Sequence, residues 1–87
     1  MTVKQLKNIV RKDVPIYYKM FYNAVAEIEL PGQVVETAIE FSLEMKPTGV
    51  KEIVVTVEDG IDYPLVPLKA ALKAVILALD RDAKLPR

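Results

Sequence analysis

From residue 34 to residue 46, apolar and polar side chains alternate. Val35, Thr37, Ile39, Phe41, Leu43 and Met45 fall on one side, and Glu36, Ala38, Glu40, Ser42 and Glu44 on the other. A period of two held this long marks a strand with one buried face, because successive side chains of an extended chain point in opposite directions. The alternation resumes over residues 50–58, with Lys51, Ile53, Val55 and Val57 against Glu52, Val54, Thr56 and Glu58. Between the two runs stands Lys46-Pro47-Thr48-Gly49. Pro at the second turn position and Gly at the fourth fit a type I turn closed by a left-handed glycine.

That three-residue loop predicts a register. Lys46 comes opposite Val50, Leu43 opposite Ile53, Phe41 opposite Val55 and Ile39 opposite Val57, so that apolar residues meet apolar ones. A slip of one residue would mix the faces. The cost is Glu44 opposite Glu52, a like-charge pair that destabilises by about 0.2–1 kcal/mol.

Upstream, Ala24, Ala26, Ile28 and Leu30 alternate with Val25, Glu27 and Glu29 before a Pro31-Gly32 turn signal. Residues 15–22 (Pro-Ile-Tyr-Tyr-Lys-Met-Phe-Tyr) are rich in aromatic and β-branched types and predict another extended segment. Residues 24–30 are then either a second strand or its continuation.

The two ends have a different spacing. Val3, Leu6, Ile9 and Val10 recur at helical intervals, and Thr2 with Gln5 fits a capping box, so residues 2–12 read as a short helix ending before Pro15. Leu65, Leu68, Leu72, Val75, Ile76 and Leu79 form an apolar stripe that predicts a longer helix from about Val66 or Pro67 to Asp82, followed by a frayed tail. Asp59 to Pro64 reads as a loop. The expectation is one α+β domain over residues 1–87: an antiparallel meander of three or four strands, flanked by a short N-terminal helix and a longer C-terminal helix packed on one sheet face.

Charge changes this picture little, although it is sorted along the chain. The 12 basic and 12 acidic residues balance, yet residues 1–19 carry a net of +4, residues 20–64 a net of −7 and residues 65–87 a net of +3. With 52% hydrophobic residues the chain is too apolar for intrinsic disorder. Charged residues occupy the place of a signal-peptide core, and the longest apolar stretch is far below the ~20 residues of a spanning helix, so a soluble, cytoplasmic protein is expected.

Composition removes much chemistry. The chain has no His and no Cys, which excludes histidine bases, thiolate nucleophiles and the usual zinc sites. The three glycines each fit a turn rather than a phosphate loop. Glu36, Glu40 and Glu44 stand on one strand face, each about 13 Å from the next, too far for a carboxylate dyad. No catalytic residue, cofactor or metal is expected, and Asp59-Gly60-Ile61-Asp62 lacks the spacing of a calcium loop.

Two surfaces remain as candidates for a protein partner or a second copy. One is the aromatic group Tyr17, Tyr18, Phe21 and Tyr22. The other is the outward side of the last helix, notably Ala70, Ala74 and Leu77, because that helix is apolar over more of its circumference than one sheet covers. The leading expectation is a non-enzymatic interaction or self-associating module, as a homodimer. The alternative is a nucleic-acid accessory protein using Lys4, Lys7, Arg11, Lys69 and Lys73, which requires those five to share one surface. A small carboxylate enzyme is the third reading.

Overall fold

The computed structural model describes residues 1–58 and 63–86. Four strands, β1 (Thr2–Arg11), β2 (Lys19–Leu30), β3 (Gln33–Met45) and β4 (Lys51–Val57), form one antiparallel sheet in the order β1-β2-β3-β4, followed by a helix, α1 (Leu65–Arg81). The β3–β4 register is the expected one, with Leu43 opposite Ile53, Phe41 opposite Val55 and Ile39 opposite Val57. Gly49 takes φ +87° to close that turn. Residues 24–30 continue a single strand that begins at Lys19, and Pro31-Gly32 joins it to β3, with Gly32 at φ +77°.

The N-terminal segment overturns one expectation: residues 2–12 hold no helix, and Thr2–Arg11 is an edge strand. The helical spacing has a different cause. The pairing of β1 with β2 shifts register between Val3 and Gln5 and again between Lys7 and Val10, where Asn8 adopts φ +53°. Each shift adds a residue to β1 and converts a step of two into a step of three. Val3, Leu6 and Ile9 therefore all turn inward, opposite the Ala24, Ala26 and Ile28 side of β2. An i, i+3, i+6 pattern from a twice-bulged strand is indistinguishable, in one dimension, from a helix face.

The core is the inner sheet face plus one side of α1. Tyr22, Ala24, Ala26, Ile28, Ile39, Phe41, Leu43, Ile53 and Val55 meet Leu68, Leu72 and Ile76. α1 comes closest to the two edge strands, β1 and β4, rather than to the central pair. The sheet thus curls like a trough and the helix closes its open side. Val55, on an edge strand, is only 3% exposed as a result. The molecule is 42 Å long, the length of β3 at about 3.3 Å per residue.

The C-terminal tail is not frayed as far as it is described. Ala83 takes φ +56°, the Lys84 N–H donates to the Leu79 carbonyl and the Ala83 N–H to the Asp80 carbonyl, which is a Schellman termination. Leu85 is then buried, and the Pro86 carbonyl accepts a 3.0 Å hydrogen bond from the Tyr22 hydroxyl. A non-glycine residue in the left-handed region is strained. Ala83→Gly is accordingly expected to raise stability by about 0.5–1 kcal/mol, measured by chemical denaturation.

Candidate interaction surface

The outer sheet face collects the sorted charges. Strand pairing brings the basic N-terminal segment alongside the acidic centre, and lysines neutralise glutamates there. Lys4 and Lys7 both approach Glu27 at 3.8 Å, Lys7 also binds Glu36, and Lys12 meets Glu40 at 2.7 Å. Glu44 does stand opposite Glu52. Lys46 bridges them at 3.7 and 3.0 Å, and Lys19 approaches Glu44 at 3.8 Å, which offsets the repulsion.

These pairs set the pH response. The Lys12 ammonium, by hydrogen bond and then by charge, holds the Glu40 carboxyl below its ordinary value of 4.5, and Lys46 does the same to Glu52. Glu36 and Glu52 in turn raise Lys7 and Lys46 above 10.5. A depressed carboxylate stabilises the fold above its unfolded pKa, and that contribution is lost as pH falls through the folded value. A raised lysine contributes below its unfolded pKa and loses the contribution as pH rises through the folded one. The melting temperature should therefore be flat between pH 4.5 and 10.5 and fall on both sides, shallowly because the pairs are solvated. Lys12→Ala should soften the acid limb in a pH series of thermal melts.

The same pairing disperses the five basic candidates. Lys7 stands opposite Val25 on the outer face, whereas Arg11 stands opposite Tyr22 on the inner one. Lys69 and Lys73 belong to α1, which lies against the inner face. They do not form one continuous surface. The carboxylates meet lysines on an open sheet, and among the described residues no cluster of acidic side chains is arranged to hold a metal ion. The sequence Asp59 to Asp62 lies outside the described residues.

The aromatic group divides three ways. Tyr22 is 1% exposed and stacks on Phe41, ring centroids 4.9 Å apart, so it is core and unavailable to a partner. Phe21 lies on the outer face beneath the Lys19 ammonium, 5.3 Å from its ring centroid. Tyr17 and Tyr18 sit in the β1–β2 connection rather than in a strand, packed edge to face at 5.6 Å, and are 98% and 51% exposed. They border an open cleft of about 600 Å³ whose other walls are Glu44, Met45, Lys46 and Pro47. Met45, Lys46 and Pro47 were legible only as a strand end and a turn; the approach of the β1–β2 connection makes them a wall, through the Met45 N–H bond to the Tyr18 carbonyl.

On α1, Ala70, Ala74 and Leu77 are exposed, as the helical spacing predicts, and Val66 extends their stripe. Residues 1–81, which span the four strands and α1, match one family model, that of the BB_0187 family. The chain belongs to that family. No curated protein and no solved structure matches it. The family match thus covers the whole sheet and α1 and stops short of the tail that Tyr22 fastens. No helix among the described residues of this family member is long and apolar enough to cross a membrane.

Proposed function

We propose that the protein is a non-enzymatic contact module and that the outward stripe of α1 holds a partner polypeptide. One observation carries this reading. After α1 has buried Leu68, Leu72 and Ile76, its opposite side still presents Val66 at 83% and Leu77 at 47% exposure, joined by the small residues Ala70 and Ala74. An apolar stripe of this kind, with alanines that admit another backbone closely, suits an apolar helix laid along it. Lys69, Lys73 and Arg81 rim the stripe. Asp80, the acidic residue within α1, is engaged by Lys51. The charge that complements this rim is acidic.

The test uses the full chain as bait in extract from its own cells, beside Ala74→Glu and Leu77→Glu variants with unchanged melting temperatures. A stoichiometric protein retained by the native chain and lost with both variants is the expected result. Equal retention by all three removes the reading. Oligonucleotide binding at low salt, abolished by Lys69→Ala with Lys73→Ala, would replace it with the nucleic-acid alternative.

A further inference from the structure

Two apolar surfaces stay uncovered, and they differ in rim charge. A second copy docked antiparallel on the α1 stripe, centred on Ala70 and Ala74, would set the two Lys73 side chains on one flank near the axis. Like charges so placed repel. The tyrosine end has no such bias, because Glu44 and Glu52 are matched there by Lys19 and Lys46. A copy of the same surface meets no excess of either sign.

We propose that a second copy of this chain occupies the tyrosine end, with Tyr17 of each protomer seated in the cleft of the other. The inference rests on the protein-contact reading above and assigns it a first partner. Tyr17 is the most exposed large hydrophobic side chain of the described residues, at 98%, and it stands directly beside a cleft walled by Tyr18, Met45 and Pro47. A knob adjacent to its own hole is self-complementary about a two-fold axis: each supplies what the other accepts. The walls suit a phenol. Met sulfur and aromatic edges favour contact with a ring, and the Glu44 carboxylate at the rim can accept from its hydroxyl.

The area is sufficient. Tyr17 and Tyr18 together expose about one and a half tyrosines. At about 150–250 Å² for each aromatic side chain, two copies offer roughly 450–750 Å², and the receiving surface roughly doubles it, which reaches the lower range of specific interfaces.

Sedimentation equilibrium across the micromolar range tests this with the native chain, Tyr17→Ala, Pro47→Asp and Leu77→Glu. The expected result is a dimer for the native chain and for Leu77→Glu. Tyr17→Ala and Pro47→Asp should each raise the dissociation constant at least about tenfold, with Tyr17→Phe changing it far less. The substituted positions are exposed, and unchanged thermal melts will show the fold intact. A native chain that stays monomeric at high micromolar concentration overturns the inference while leaving the α1 reading to its own capture experiment. A dimer broken by Leu77→Glu but not by Tyr17→Ala also overturns it and moves self-association to the helix.

Discussion

Replacing Tyr22 with alanine is expected to lower the unfolding free energy by about 3–5 kcal/mol. The residue does two jobs from one position. Its ring lies nearly parallel to Phe41, at 16° and 4.9 Å, on the inner face of the two central strands. Its hydroxyl reaches the Pro86 carbonyl and fastens the segment that carries buried Leu85. Truncation leaves a cavity beside Phe41 and releases the tail in one step. A chain of this size has roughly 4–13 kcal/mol of stability in total, so the variant should be largely unfolded at modest temperature. Tyr22→Phe separates the two roles. It keeps the stack and removes the tail bond, at a cost of about 0.5–1.5 kcal/mol. Urea titrations of both variants check the division; equal losses would assign the energy to the tail and not to the ring.

Deleting Val25 should abolish folding, whereas deleting Lys4 should change stability by no more than about 1 kcal/mol. Both remove one residue from a strand. Val25 lies in β2, paired in register on both sides, with Lys7 and with Ala38. Its loss flips either Tyr22 and Ala24 or Ala26, Ile28 and Leu30 to the outer face, because side chains alternate at every step. Lys4 is a surplus residue. Val3 and Gln5 already stand opposite Ile28 and Glu27, which are adjacent on β2. Without Lys4 the ladder becomes regular, Val3 still points inward and Gln5 outward, and only the 3.8 Å pair with Glu27 is lost. Circular dichroism melts of the two deletions read this directly. Were residues 2–11 helical, either deletion would rotate the residues that follow by about 100° and both would be harmful. An unfolded Lys4 deletion would refute the bulged strand.

The β3–β4 hairpin was legible because its two signals are local and independent. The turn chemistry of Pro47 and Gly49 and the alternation about Phe41 each demand the same register. α1 was legible for the same reason, from the spacing of Leu68, Leu72 and Ile76. The N-terminal strand was not, since a bulge is defined by the partner strand, and Val3, Leu6 and Ile9 carry no mark of which residue β2 leaves unpaired. Tyr17, Tyr18, Phe21 and Tyr22 were recognised as a group, but their separate fates, two in solvent, one on the outer face and one in the core, follow from where β2 begins.

By itself, the order of residues determined the elements whose hydrogen bonds and packing close within neighbouring segments: the meander after residue 24, its register and the terminal helix. Tertiary structure alone decided that the basic N-terminal segment lies as a strand against the acidic centre, that Tyr22 is tied to Pro86 across sixty-four positions, and that Tyr17 stands beside a cleft formed by Met45 and Pro47. Those outcomes depend on contacts between distant parts of the chain, and no periodicity in a linear string records which distant parts will meet.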